Sequence, residues 1–264
     1  MTVRDALDAA VTAIDAAGCT TPRLDAELLI ADALGVEREA LVLDPDMAIP
    51  PAAARVIGER VRRRVQREPV AYILGRKGFR YIELAVDRRT LIPRPETELL
   101  VDIALDLPEG ASVHDVGTGC GSIALALLDE RPDLQVTASE PYHEAAQVAR
   151  ENAAKLGLPL EVSEDAGLPD GDYDLVVANL PYIREDAWHG MQPEIVHYEP
   201  REAFVSGADG LDAIKQLIGG APSGTLVALE HGEDQAADVR AMLDDAESRP
   251  DLANWERITV GRVP

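Results

Sequence analysis

The sequence predicts a small bundle of helices followed by an α/β domain whose sheet is doubly wound and mostly parallel. Three observations support this prediction. Apolar residues recur at helical spacing through residues 1–68, and the spacing becomes alternating near Val70. From residue 111 onward, short apolar strands alternate with helical segments. Such alternation is typical of parallel strands that are joined by helical crossovers.

The first domain, residues 1–68, is predicted to contain four helices. Thr2 can cap the first, and Pro22 and Pro51 stand where proline is favoured, in the first turn of the second and fourth. The predicted helices cover 2–17, 21–35, 37–43 and 51–67. The fourth carries a cluster of arginines, which is either a solvated helix face or a docking edge for a partner: Arg60, Arg62, Arg63, Arg64 and Arg67.

A connector covers residues 69–94. The stretch "VAYILGRKGFRYIELAVDRRTLIP" alternates apolar and polar residues and is interrupted by Gly75 and Gly78, which predicts a β-hairpin. The α/β domain then covers 95–264 and opens with a helix after Pro95. Its predicted strands are 112–116, 135–139, 160–163, 173–178, 225–229 and 256–261, and its later helices are 121–130, 142–156, 210–219 and 234–244.

Composition excludes several classes of function. The net charge of -23 and pI near 4.5 disfavour non-specific binding to nucleic acid or membranes. The two cysteines and five scattered histidines show no metal-ligand spacing, so no metal is expected. We find no signal-peptide pattern at the N-terminus and no uncharged apolar run of membrane-spanning length, so we expect a cytoplasmic protein.

A glycine-rich loop follows the first strand of the α/β domain in "DVGTGCGSIALAL". Gly117, Gly119 and Gly121 alternate with Thr118 and Cys120 between a strand and a helix. Glycines there let the backbone approach a ligand closely. Dinucleotide folds prefer GxGxxG, whereas this GxGxG form after Asp115 suits S-adenosylmethionine. Residues 117–121 are therefore candidate cofactor-binding residues.

Acidic residues follow the next two strands. Glu140 stands 19 residues beyond Gly121 at a strand tip, where a carboxylate can accept hydrogen bonds from both ribose hydroxyls. The alternative is an acid favoured by a helix dipole. Asp165 follows the third strand and is placed to reach the adenine amino group, or its neighbour Ala166 offers a backbone amide. We expect these residues and Asn179 to complete the donor site.

The fourth strand ends in "NLPY", formed by Asn179, Leu180, Pro181 and Tyr182. An (N/D/S)-x-P-(Y/F) tetrapeptide at this place is similar to the signature of methyltransferases that act on planar nitrogens. The lone pair of such a nitrogen is delocalised, which makes it a poor nucleophile. The Asn179 oxygen and a following backbone carbonyl can accept both N–H bonds and orient the nitrogen. Tyr182 offers a flat wall, and no base is needed before transfer.

Seven stretches in order resemble the HemK-like protein-(glutamine) methyltransferases: "REPVAYILGRKGF", "TLIPRPETELLVD", "DVGTGCGSIALAL", "VARENAAKLG", "VVANLPYI", "EPREAFVSGADGLD" and "LVALEHG". The resemblance implies a Rossmann-like S-adenosylmethionine-dependent domain, a β-hairpin linker and an N-terminal domain that docks the substrate. It implies methylation of the Gly-Gly-Gln glutamine in peptide chain release factors, with S-adenosylhomocysteine as product.

The sequence departs from the family pattern at four residues and in one segment. Leu180 replaces a usual Pro, Glu140 a usual Asp, and Cys120 a usual Ser, Thr or Ala, while His114 replaces an aliphatic residue and is expected to be a satisfied buried histidine. The segment "DDAESRPDLANW" is short and polar, so we expect a truncated sheet edge near 244–255. Two alternatives remain open: an amino-adenine methyltransferase acting on RNA or DNA, and a non-catalytic binding protein with this fold.

Overall fold

The protein is described by a computed structural model that covers residues 1–264. Its helices are α1 (Val3–Ala16), α2 (Pro22–Leu34), α3 (Arg38–Leu43), α4 (Pro51–Val65), α5 (Val70–Leu74), α6 (Glu98–Leu105), α7 (Ser122–Glu130), α8 (His143–Leu156), α9 (Pro193–Tyr198), α10 (Asp212–Gly220) and α11 (Ala236–Arg240). Its strands are β1 (Arg76–Phe79), β2 (Ile82–Ala85), β3 (Ser112–Val116), β4 (Gln135–Ser139), β5 (Glu161–Ser163), β6 (Leu175–Ala178), β7 (Leu226–Glu230), β8 (Asp244–Pro250) and β9 (Glu256–Arg262).

The chain divides into two compact units. The helical unit comprises Met1–Gly75 together with Gln192–Tyr198, and the sheet unit comprises Arg76–Met191 with Glu199–Pro264. No helix is both long and apolar enough to span a membrane. The helical unit therefore extends beyond the predicted residues 1–68 and includes a short segment from much later in the chain.

Helical spacing accounts for the core of the helical unit. Buried apolar residues of α1 and α2 meet in one cluster with side chains of α3 and α4. Thr2 and Asp5 form a capping box at the start of α1, in which the Thr2 hydroxyl accepts from the Asp5 amide at 3.2 Å and the Asp5 carboxylate accepts from the Thr2 amide at 2.8 Å. Gly35, with a φ of 65°, ends α2 in the left-handed conformation that glycine adopts readily.

Four of the five clustered arginines on and just after α4 form ion pairs inside the helical unit. Arg64 lies 2.6 Å from Asp25 and 2.7 Å from Glu194, and Arg67 lies 2.5 Å from the other oxygen of Glu194. Separate ion pairs join Arg60 with Asp32 and Arg63 with Glu68. Arg64 and Arg67 thus hold α9 and α2 against α4, whereas Arg62 is exposed. Docking of a partner by this cluster stays a prediction, with most of its charge already paired.

The predicted hairpin is shorter than expected. Residues 70–74 form α5, which Pro69 precedes and Gly75 ends with a φ of 72°. The hairpin itself pairs β1 with β2 from Arg76↔Ala85 to Phe79↔Ile82. The apolar residues of "VAYIL" fit a single helical turn as well as a strand, which is why alternation alone misassigned them.

The sheet unit contains seven strands in the order β5-β4-β3-β6-β7-β9-β8. The first five are parallel, whereas β9 is antiparallel to β7 and β8 is antiparallel to β9. The prediction of a truncated edge is wrong, because β8 is a full strand over Asp244–Pro250. Its side chains are mostly exposed, so pairing with β9 forms this strand and its sequence lacks the apolar pattern of a buried one.

The topology places the predicted site. Strand order reverses between β3 and β6, so the loops that follow these two strands diverge at their carboxyl ends. Ligands in doubly wound sheets bind at such a switch point. The glycine loop follows β3, Glu140 follows β4 and Asn179 follows β6, which brings three separately predicted segments to one edge.

Candidate active site

A cavity of about 430 Å³ lies at this edge of the sheet unit, within the range of small-molecule sites. Asp165 is exposed and does not line it, and Gly121 lies outside it as well. Tyr182 instead lines an adjoining cavity of about 40 Å³ with Asn179 and Glu230. The predicted residues that line the larger cavity are Gly117, Thr118, Gly119, Cys120, Glu140, Ala166, Asn179, Leu180 and Pro181.

The glycines of the loop have different reasons to be glycine. Gly119 has a φ of 57°, and a Cβ built on it would meet no atom within 4 Å, so its face is open. Gly121 has a φ of 87°, and a Cβ there would lie 2.7 Å from Leu125. Gly119 therefore permits close approach of a ligand, whereas Gly121 permits the loop to pack against α7.

Glu140 is a buried carboxylate held by backbone amides. Its Oε2 accepts from the Gly119 amide and its Oε1 from the Tyr142 amide, both at 3.0 Å. Burial raises the pKa of Glu140, while these two hydrogen bonds act in the opposite direction. Each carboxylate oxygen retains accepting capacity, so the geometry fits two ribose hydroxyls.

A second buried carboxylate shapes the same loop. Asp115 Oδ2 accepts from the Thr118 hydroxyl at 2.6 Å and from the Ala124 amide at 3.2 Å, and burial raises the pKa of Asp115 to about 7. These bonds join the end of β3 to the loop and to the first turn of α7. Asp115 thus holds the loop in place from behind the cavity wall.

His114 and Cys120 are structural residues. The His114 ring lies between the hydroxyls of Thr137 and Ser139, at 2.8 and 3.1 Å, and burial lowers the pKa of His114 to about 4. The imidazole is therefore neutral and satisfied, which confirms the expectation of a satisfied buried histidine. Burial raises the pKa of the Cys120 thiol to about 12, so this side chain is not a nucleophile at neutral pH.

Asn179 belongs to a chain of side-chain hydrogen bonds. Its Nδ2 donates to Thr97 Oγ1 at 2.9 Å, and the Thr97 hydroxyl donates to Glu230 Oε2 at 2.7 Å. The Tyr182 hydroxyl donates to Glu230 Oε1 at 3.2 Å. Burial raises the pKa of Glu230 to about 7, and burial together with this carboxylate raises the pKa of Tyr182.

Sequence reasoning assigned no role to Thr97 or Glu230. Both lie in stretches that carry the family resemblance, "TLIPRPETELLVD" and "LVALEHG". For Glu230, the available signal was an acid at the end of the apolar run that forms β7, which pairs with β6, the strand that Asn179 follows. Thr97 shows no such signal, because it is 82 residues from Asn179 and only the fold brings them together.

Two further stretches support the tetrapeptide and its surroundings. Gln235 Nε2 donates to the Tyr182 carbonyl at 3.0 Å, and a Cβ on Gly210 would lie 2.3 Å from that same oxygen. Gly210 is therefore required for the "GADGLD" loop to pack on this backbone. Glu199 accepts from the Ile92 amide at 2.9 Å and pairs with Arg94 at 2.5 Å, which ties the "EP" and "IPRP" segments together.

Comparison with known proteins agrees with this architecture. Residues 5–75 match the model described as PrmC N-terminal domain, and residues 95–198 match the Methyltransferase small domain. A protein named Release factor glutamine methyltransferase from Xylella fastidiosa is 40% identical over 258 residues, covering 92% of this chain and 94% of its own length. The chain belongs to the release factor glutamine methyltransferase family. Its relative of the same name from Burkholderia pseudomallei is 43% identical and covers 91% of this chain and 92% of its own length.

Two solved structures share the fold over part of this chain. The catalytic domain of hMettl16, solved with a 3'UTR hairpin, aligns with a TM-score of 0.54 at 13% identity over 69% of this chain and 75% of its own. A 16S rRNA methyltransferase from T. thermophilus, solved with AdoMet and guanosine, aligns with a TM-score of 0.51 at 13% identity over 72% of this chain and 50% of its own. The predicted Rossmann-like methyltransferase fold with a helical N-terminal domain is confirmed.

Proposed function

We propose that this enzyme transfers a methyl group from S-adenosylmethionine to the side-chain amide nitrogen of the Gly-Gly-Gln glutamine of peptide chain release factors, in the cytoplasm. One observation carries the chemical part. Asn179 uses its own amide nitrogen to bond Thr97, so its oxygen remains as an acceptor at the wall of the cavity. An amide nitrogen with two N–H bonds is an acceptor substrate that such an oxygen can hold.

The cavity residues fit the donor. Glu140 presents a fixed carboxylate for the ribose hydroxyls, and Gly119 leaves room beside it. The amide of Ala166 or the side chain of Asp165 would recognise the adenine, and the amide is favoured because Ala166 lines the cavity whereas Asp165 does not. When bound, S-adenosylmethionine supplies an electrophilic methyl group on a positively charged sulfur.

The tetrapeptide fits the acceptor. The Asn179 oxygen and the Leu180 carbonyl would accept the two N–H bonds of the glutamine amide, which turns the nitrogen lone pair toward the methyl group. Both oxygens also stabilise the positive charge that develops on nitrogen during transfer. The proton leaves after transfer, so no base is required. Pro181 fixes the turn, and Tyr182 forms part of the wall around the amide.

The helical unit is proposed to dock the release factor. Its matching segment in the family is a separate N-terminal domain, and four of its five clustered arginines are neutralised by internal ion pairs. Recognition would therefore depend mainly on surfaces other than the α4 arginine cluster. The net charge of -23 also opposes phosphate backbones, which favours a protein substrate over RNA or DNA.

The test is a transfer assay with the purified enzyme and a labelled methyl donor. We expect label on a release factor, and none on the same release factor whose Gly-Gly-Gln glutamine is changed to alanine. Label on RNA but not on protein would instead identify an amino-adenine methyltransferase. Tight donor binding without transfer to either substrate would identify a non-catalytic binding protein.

A further inference from the structure

While Glu230 is ionised, the hydrogen bonds around Asn179 have only one consistent set of donors. The ionised carboxylate of Glu230 can only accept, so the single proton of the Thr97 hydroxyl is donated to Glu230 Oε2 at 2.7 Å. The Thr97 oxygen then has only lone pairs left for Asn179, 2.9 Å away. The group that Asn179 turns toward Thr97 must therefore be its NH2.

Burial makes this constraint strict. The exposed fraction is 2% for Thr97 and 1% for Glu230, so bulk water does not offer alternative partners. If the Asn179 amide were reversed, its oxygen would face the Thr97 oxygen without a proton between them. The reversed amide would also present N–H groups to the cavity, and these would repel the N–H groups of an amide substrate.

We infer that Thr97 and Glu230 are positioning residues that fix the side-chain amide of Asn179 with its oxygen toward the acceptor nitrogen. The inference rests on the proposed function for the identity of that nitrogen. Tyr182 is the second donor to Glu230, so one carboxylate orients both ends of the tetrapeptide. Thr97 also lines the larger cavity, but in this inference Thr97 and Glu230 determine the preference for an N–H-bearing acceptor through the orientation of Asn179.

The test uses Thr97→Val, which keeps the shape of the side chain and removes the hydroxyl. We expect single-turnover methyl transfer to fall by at least about 10-fold, with unchanged donor affinity by calorimetry. Thr97→Ser keeps the hydroxyl and should restore most of the rate. Thr259→Val is the matched control, because Thr259 is equally buried and bonds the buried His231 at 2.8 Å, away from Asn179.

A double-mutant cycle separates positioning from loss of structure. In an Asn179→Ala background there is no amide left to orient, so Thr97→Val should cause no further loss of rate. An equal loss in both backgrounds, or a wild-type rate for Thr97→Val, would overturn the inference. If Thr97→Val is unfolded by circular dichroism, Thr97→Ala replaces it in the same cycle. Failure of the proposed function is distinguishable, because the wild-type enzyme would then transfer no methyl group.

Discussion

Replacing Asn179 with aspartate tests the site most sharply, because the change alters one group in a known hydrogen-bond network. The aspartate keeps an oxygen for the substrate but replaces the NH2 that donates to Thr97 with a second oxygen. At the wild-type distances of 2.9 and 2.7 Å, the new carboxylate and Glu230 would then face the same Thr97 hydroxyl. Thr97 has one proton and cannot satisfy both carboxylates.

The repulsion between the two carboxylates follows from the distance between them. Two bonds of these lengths separate the carboxylate oxygens by at most about 5.6 Å. At an effective dielectric constant of about 20, two unit charges at this distance repel by about 3 kcal/mol, which corresponds to a shift of about 2 pKa units. The carboxylate pair should therefore retain one proton well above neutral pH, shared through Thr97.

The methyl-transfer rates of the wild type and of Asn179→Asp should have opposite pH dependences. The wild-type rate should rise with pH as Glu230 ionises, because burial raises its pKa to about 7. The Asn179→Asp rate should fall as pH rises and the shared proton is lost. Asn179→Ala should lose on the order of 10²- to 10³-fold at every pH, the usual effect of removing one transition-state hydrogen bond.

The assay is single-turnover methyl transfer to a release factor at saturating donor, between about pH 6 and pH 9. Donor affinity is measured alongside by calorimetry and should change little in either variant. Two results would refute the reasoning: a near wild-type rate for Asn179→Ala, or a pH profile for Asn179→Asp that parallels the wild type. In the first case Asn179 would be only a turn-forming residue at the end of β6.

Four further predictions test other parts of the structure. Glu140→Ala should weaken donor binding by roughly 1–3 kcal/mol in calorimetry, and unchanged affinity would remove Glu140 from the donor site. Gly119→Val should abolish donor binding, because its side chain fills the open face of the loop and its φ of 57° is unfavourable for valine; retained binding would contradict this. Glu194→Ala should lower the free energy of unfolding by about 2–4 kcal/mol, since Arg64 and Arg67 lose a half-buried partner. The exposed Glu185→Ala serves as control in thermal unfolding. Glu230→Gln should remove the rise of the transfer rate near pH 7, and a rise that persists would assign it to another group. The same change should flatten the fall in stability with pH, because the pKa of Glu230 is higher in the folded state than in the unfolded state; this favours folding at low pH, and the benefit is lost as pH rises through about 7.

The local sequence pattern was sufficient to predict most strands of the sheet unit. The strands 112–116 and 135–139 were predicted at their observed bounds, because each lies between turn-forming residues at a regular step of the strand and helix alternation. The glycine loop, Glu140 and Asn179 were also predicted as neighbours, since parallel strands in a doubly wound sheet direct their carboxyl ends to one edge.

Features that depend on distant partners could not be predicted in this way. β8 is polar and exists through its pairing with β9. The arginines of α4 resembled a free basic face because Asp25 and Glu194 lie 39 and 130 residues away in sequence from Arg64. Thr97 and Glu230 are separated by 133 residues, so no local spacing indicates that they share a hydrogen bond behind Asn179.

The helical unit is built from two segments of the chain, and this determines how its proposed docking role should be tested. Residues 192–198 pack with the N-terminal helices, and Glu194 binds Arg64 and Arg67 there. Deleting residues 1–68 would therefore remove the partners of α9 as well as the predicted docking domain. Single substitutions on exposed apolar side chains of α3, such as Leu43→Ser, test docking without this loss, with KM for the release factor as the readout and kcat as the control.

The most direct measurement is the position of the methyl group on a release factor after reaction with the purified enzyme. Peptide mass spectrometry with fragmentation should show the mass of one added methyl group on the side chain of the Gly-Gly-Gln glutamine, and no addition when the Asn179→Ala enzyme is used under the same conditions. A methyl group on another residue, on RNA alone, or on the same glutamine at an undiminished rate with Asn179→Ala would contradict the account.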